Sequence, residues 1–331
     1  MTPSPRLGYL LAVLGALAWA ATGPGLSYLL EHYGLSALTL AFWRDALIAL
    51  ACLVGISVSA LARGTGLPRL SRAELGSFAV MGTISVGIYH ALFVTSVALN
   101  GVAVAIVLIY LFPAFVTLGA RLIFKETISP IQLIALALAL LGCALLLRVY
   151  DPAVLRVSWL GVLIGVAAAI THAGYVLFNQ RAVARHSPWL SLALTMSFGT
   201  LALLVLTSVA QGPASLLAVG PGLTPWLMIL GLALGPTLVG YALFTTCLRH
   251  IPGRVASLII VIEAPIATLA AVLLLGEQIE AAQALGMALI LAAAVLPGLR
   301  LALPPSRRGR RASLVLHHDA GDPHVITQID S

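Results

Sequence analysis

Glu263 stands two residues before Pro265 in the apolar run VIEAPIATLAAVLLL, Val261 to Leu275. A charge inside a bilayer costs a few kcal/mol or more, and proline removes a helix hydrogen bond. A carboxylate in that setting could receive a substrate ammonium, carry a coupling proton or pair with a buried cation. Arg44, in FWRDAL, is the one Lys or Arg that falls clearly inside an apolar stretch. It could hold a substrate carboxylate, snorkel to an interface, or pair with Glu263 or a carbonyl. Its neighbour Asp45 points about 100° away on a helix, so the two are not expected to face each other.

Aromatic and imidazole side chains supply the other candidates. In AAITHAGYVLFNQR, His172, Tyr175 and Asn179 recur at i, i+3 and i+7 and share one helix face. Trp19 and Thr22 share a face just before Pro24 and Gly25. Ser85 and Tyr89 align at i and i+4 with His90 beside Tyr89, and Tyr241 and Thr245 repeat that spacing. Such a set could stack on an aromatic or apolar substrate group and hydrogen-bond an amino or carboxyl group. Each residue also has a plainer reading: Tyr and Trp mark membrane interfaces, and a lone His often bonds a carbonyl on a neighbouring helix.

Enzymatic chemistry finds little support. No nucleophile–base spacing stands out, and no catalytic residue, cofactor or metal is assigned. His90, His172 and Glu263 could be imagined as metal ligands, but they lie on three different segments without a helical ligand pair such as H-E-x-x-H. No G-x-x-x-x-G-K-[ST] phosphate loop is present, which argues against ATP use. Cys52, Cys143 and Cys247 each sit in an apolar run and read as small buried hydrophobes.

These residues need a scaffold, and the composition dictates its kind. Of 331 residues, 60% are hydrophobic and 9% charged, against roughly 25% charged in soluble domains. Mean hydropathy is +1.06. This excludes an ordinary soluble protein. The pI near 9.8 does not imply nucleic acid, because the basic residues lie between apolar runs and in the tail. Runs near the 20 residues needed to cross a bilayer occur at 7–30, 35–61, 74–98, 102–124, 129–148, 158–180, 187–210, 223–248, 254–275 and 281–300. The first reads as a retained helix, with no cleavable signal peptide before it. Short connections carry turn residues, as in RGTGLPRLSR and QGPASLLAVGPGLTP.

Ten crossings place 15 of the 18 basic residues on one side, Arg148 and Arg156 on the other, and Arg44 within. By the positive-inside rule both termini are cytoplasmic in a plasma membrane. The polar tail, 304–331, is expected to be disordered, with Arg307 to Arg311 on anionic headgroups. Its His317 and His318 are read as part of a solvated tail.

The two halves echo each other. At an offset of 152, Tyr89 meets Tyr241, Gly101 meets Gly253 and Pro113 meets Pro265; at 151, Glu126 of FKETIS meets Glu277 of LGEQIE. Trp19 falls close to His172 at the same offset. Residues 1–150 and 151–303 therefore read as two five-span repeats. Five is odd, so the second enters the membrane inverted, as in transporters built around a midplane site. The matched Pro113 and Pro265, with Pro24 and Pro236, are expected to bend their helices and to act as hinges. Proline is tolerated in membrane helices in any case.

Ten spans in two five-helix halves, with a proline and a closing glutamate in the fourth helix of each (P…KE in the first, P…GE in the second), resemble the drug/metabolite transporter superfamily. The likeness is greatest to its EamA-type exporters, and within them to the bacterial aromatic amino-acid exporter branch, over residues 7 to 300. This resemblance implies an all-α basket of ten helices around a central cavity, exporting amino acids or similar metabolites. The sequence departs from internal symmetry at IEAP, where the first half has YLFP and Leu111 stands opposite Glu263. The reading is a facilitative exporter working by alternating access. Its partners are a small-molecule substrate and membrane lipids, not nucleic acid; the sequence does not fix the oligomeric state and is compatible with a monomer. Within the same fold a proton-coupled drug/metabolite antiporter is an alternative, and so is a sugar-nucleotide or sugar-phosphate carrier. The carrier fits less well, since phosphate calls for several cavity cations.

Overall fold

Serine starts many of the helices. Ser36, Ser71, Ser158 and Ser187 each sit at an N-cap, where the hydroxyl accepts from the backbone N–H three residues on. The computed structural model describes residues 4–152, 157–275 and 278–302. The tail with its arginine and histidine clusters lies outside them, as do Glu277 and Arg156.

Helices α1 (Pro5–Ala20) and α2 (Thr22–Tyr33) form the first span, and α3 (Ala37–Ala62) the second. The third is α4 (Arg72–Gly82), a π-helical stretch (Thr83–Ile88) and the first part of α5 (Tyr89–Ile109). Gly101, at φ 77° and ψ 165°, breaks α5 and begins the fourth span, where a side chain would be strained. That span continues in α6 (Phe112–Phe124), and α7 (Pro130–Leu146) is the fifth.

The second half follows the same plan. It comprises α8 (Trp159–Ala182), α9 (Pro188–Gln211), and α10 (Thr224–Leu232) joined through a π-helical stretch (Ala233–Thr237) to α11 (Leu238–Cys247). Then come α12 (Gly253–Ile260) with α13 (Glu263–Leu275), and finally α14 (Ala281–Ala302). Among the described residues seven helical stretches are long and apolar enough to cross a membrane and three shorter ones are apolar. With the break at Gly101, these make ten spans.

Corresponding helices pack across the halves: α3 on α9, α7 on α14, and α1 on α11 as α8 packs on α5. The connections match too. The Ser158 N–H donates to Asn100 Oδ1 at 2.8 Å, and the Ser4 N–H donates to His250 Nδ1 at 3.2 Å. Each joins the start of one half's first span to the end of the other half's third.

With no hydrophobic force between helices in lipid, close packing of small residues holds them together. A Cβ on Gly142 would lie 2.7 Å from Gly286 O, and one on Gly286 would lie 2.6 Å from Gly142 O. Both obstacles are backbone and cannot swing aside. Gly286→Ala should therefore force α7 and α14 apart, at about 1–3 kcal/mol, the usual cost of overpacking. Thermal unfolding of detergent-solubilised protein checks this; an unchanged midpoint would show that the pair yields freely.

The matched prolines do not kink helix interiors. The chain breaks at Tyr110–Leu111 and at Val261–Ile262, and Pro113 and Pro265 lie in the first turn after each break, where a missing N–H is tolerated. Tight bonds span the breaks: Leu111 N donates to Leu108 O and Ile262 N to Ile259 O. Ala264 N donates to the Val261 carbonyl at 3.1 Å, so the acceptor freed by Pro265 is satisfied. Pro24 likewise follows a break, at Ala21, with Thr22 Oγ1 donating to Trp19 O. Pro236 lies in the second π-helical stretch beside Gly235, whose ψ of −109° is not helical.

Candidate functional site

The helix breaks and the second π-helical stretch border a cavity of about 560 Å³. Irregular backbone at membrane depth is tolerated where it lines a cavity. Trp19, Arg44, Tyr89, His90, His172, Tyr241 and Glu263 all line it, so residues from both halves and from six spans meet in one space.

Two ring pairs cross between the halves. Trp19 meets Tyr241 edge-on with centroids 4.9 Å apart, and His172 lies 4.8 Å from Tyr89. Because Tyr89 and Tyr241 correspond at the repeat offset, these are equivalent contacts. Gly240 makes room for the first: a Cβ there would lie 2.4 Å from the Trp19 ring.

Two candidates take other places. Tyr175 is buried behind the cavity wall, stacked on His172 at 6.1 Å with its hydroxyl 3.3 Å from Thr245 Oγ1. Asn179 is fully buried toward α9: its Nδ2 donates to Tyr175 O and its Oδ1 accepts from Ser191. The shared face of His172, Tyr175 and Asn179 is real, but it turns from the cavity into the α8–α9 contact over two helical turns. An unpartnered buried amide would be costly, and Ser191 supplies the partner.

The expectation for Arg44 and Asp45 also needs correction. Arg44 Nε donates to Asp45 Oδ1 at 3.2 Å, while its Nη2 lies 2.8 Å from His90 Nε2. Asp45 is fully buried, and its Oδ2 lies 3.3 Å from His90 Nδ1. The Cβ directions do diverge, but the long arginine side chain folds back across the gap. Glu263, by contrast, enters no ion pair among the described residues and does not pair with Arg44. It shares the cavity lining with Tyr89 and Tyr110.

Sequence reasoning missed Tyr110, Phe93 and Phe112, which also line the cavity. Phe112 meets His172 edge-on at 4.7 Å. The available signal was position: Tyr110 and Phe112 flank the break before Pro113. Cys52, Cys143 and Cys247 are buried free thiols. Among the described residues no three His, Cys, Asp or Glu side chains are placed to hold a metal ion.

The two faces of the protein differ. The cavity lining reaches Ser27, Val97 and Val102, beside the loops after the first and third spans. The opposite face, where the chain starts, is tied by polar contacts. Arg254 pairs with Glu126, which also accepts from Gln180 Nε2 at 3.3 Å, and Gln180 Oε1 accepts from Gly253 N at 2.7 Å. Arg249 donates to the carbonyls of Val183 and His186. On the cavity-side face Arg148, which follows the lining residues Leu146 and Leu147 without itself lining the cavity, pairs with Asp151 and Glu280.

Comparison with known proteins agrees with this architecture. The EamA-like transporter family pattern matches residues 6–148 and again 159–298. The chain is 25% identical over 319 residues to the uncharacterized inner membrane transporter YicL of Salmonella typhimurium, covering 93% of this chain and 99% of that protein. It is 28% identical over 215 residues to the threonine/homoserine exporter RhtA of Escherichia coli, covering 64% and 68%. One crystal structure superposes with a TM-score of 0.74 at 19% identity, covering 89% of this chain and 98% of that one; this shows a shared fold. Two matching repeats, ten apolar spans and a common cavity lead to one conclusion: this multi-pass membrane protein belongs to the EamA-like transporter family.

Proposed function

We propose that this transporter exports small metabolites, amino acids with aromatic side chains among them, from the cytoplasm by facilitative alternating access. The observation that carries the reading is the cavity: aromatic walls from both halves, an ionisable group from each, access toward one face and a polar latch at the other. The basic residues concentrate on the latch face, which supports placing it and the termini in the cytoplasm of a plasma membrane. Five spans per half invert the second repeat, so an exchange of conformations between halves would carry the opening to the other side. RhtA, by its name, exports threonine and homoserine, which supports amino acids as the substrate class. A sugar-phosphate reading is weakened because Arg44 is already bound to Asp45.

The test is uptake into liposomes containing purified protein, screened with all twenty amino acids. Selective uptake of several is expected, and uptake of none removes the amino-acid assignment. Orientation is checked by cysteine labelling in intact cells, where an externally accessible N-terminus would reverse the topology.

Both proline-led breaks border the cavity. Pro113→Ala and Pro265→Ala should slow transport by about tenfold while changing affinity by less than about threefold, as expected for gating positions. Loss of affinity at an unchanged maximal rate would show that the prolines shape the site instead.

A further inference from the structure

Charge balance inside the cavity treats the two ends of an amino acid differently. Arg44 is the cation a substrate carboxylate would seek, yet its Nε is 3.2 Å from Asp45 Oδ1 and its Nη2 is 2.8 Å from His90. The Arg44–Asp45 pair is neutral as a unit before any substrate arrives. Glu263 lines the same cavity and has no ion-pair partner among the described residues. With the histidines uncharged and Glu263 counted in the anionic form that a bound cation would stabilise, the site holds one positive and two negative charges. An amine brings it to two of each. A zwitterion leaves one negative charge in excess, and a lone carboxylate leaves two.

The walls act in the same direction. Trp19, Tyr89, Tyr110 and Tyr241 border the cavity, and the faces of such rings attract cations but not carboxylates. A buried carboxylate is stable as an anion only beside a compensating positive charge, and the substrate's ammonium can be that charge. The geometry points to an ammonium-recognition site in which Glu263 and the aromatic walls hold a primary amine carrying an apolar group, the substrate carboxylate being dispensable. This rests on the transporter reading above and extends its substrate class to monoamines that lack a carboxylate.

The test is isothermal titration of the purified full-length protein in lipid nanodiscs, at neutral pH, with four ligands that share one ring. They are phenethylamine, L-phenylalanine, 3-phenylpropionate and the uncharged 2-phenylethanol. Phenethylamine should bind at least about tenfold more tightly than 3-phenylpropionate or 2-phenylethanol, and no more weakly than L-phenylalanine. In Glu263→Gln the preference for phenethylamine over 2-phenylethanol should shrink to within about threefold. Should that variant fail to fold, the wild-type ratios decide. L-Phenylalanine binding tenfold or more tighter than phenethylamine would overturn the inference and leave the amino-acid reading intact. Tightest binding of 3-phenylpropionate, binding of none of the four, or an undiminished preference in Glu263→Gln would also overturn it. Phenethylamine binding as expected, without amino-acid uptake into liposomes, would support this inference while removing the amino-acid assignment.

Discussion

Glu263→Gln is expected to lower transport of an amine-bearing substrate by about 10- to 100-fold while the protein stays folded. The size follows from losing one charge-assisted hydrogen bond in a desolvated site, about 1.5–3 kcal/mol, where each 1.4 kcal/mol is tenfold. Folding should survive because Glu263 enters no ion pair among the described residues and faces the cavity. The substitution therefore strands no opposite charge. Measurement is uptake by liposomes carrying wild type or the variant, with and without an imposed pH gradient. For a facilitative carrier, wild-type substrate equilibrates and goes no further under the gradient. Gradient-driven accumulation above equilibrium in the wild type, absent from the variant, would sink the facilitative reading and make Glu263 the proton site.

Asp45→Asn is expected to be strongly destabilising, since Asp45 is fully buried behind the cavity-lining Arg44. It leaves Arg44, only 11% exposed, without its carboxylate, and it removes the acid beside His90. Breaking a buried pair from one side costs about 3–5 kcal/mol, because the remaining charge is uncompensated. Arg44 borders the cavity and keeps its contact with His90, so the lower end, about 3 kcal/mol, is expected; that corresponds to a fall in melting temperature on the order of 10 °C. Replacing both partners, Arg44→Met with Asp45→Leu, should recover most of the loss, since an apolar pair of similar volume is often as stable as a buried ion pair. Thermal unfolding in detergent of the wild type, Arg44→Met, Asp45→Leu and the double variant gives the coupling directly, with Asp45→Asn measured beside them. Additive effects, with no recovery in the double variant, would show that the two side chains contribute independently.

Much of the scaffold is legible in the sequence because a bilayer leaves few choices. Backbone polar groups must be satisfied within each span, so apolar runs of about 20 residues become helices. Serine caps, prolines and Gly101 then mark where they start and stop. The offset of 152 relates Tyr89 to Tyr241 and Pro113 to Pro265, and with Trp19 and His172 one residue off that register the Trp19–Tyr241 and His172–Tyr89 contacts recur across the halves.

Partner choice within the site was decided only by the tertiary structure. Periodicity puts His172, Tyr175 and Asn179 on one stripe, but a stripe does not say where a neighbouring helix ends and a cavity begins; α9 claims Asn179 through Ser191. Helical angles separate Arg44 from Asp45, but a flexible side chain covers that angle once His90 closes the other side. Composition marks Glu263 as costly in a membrane. Packing is what left it facing an open space without an ion-pair partner among the described residues, while Arg44 is engaged by Asp45.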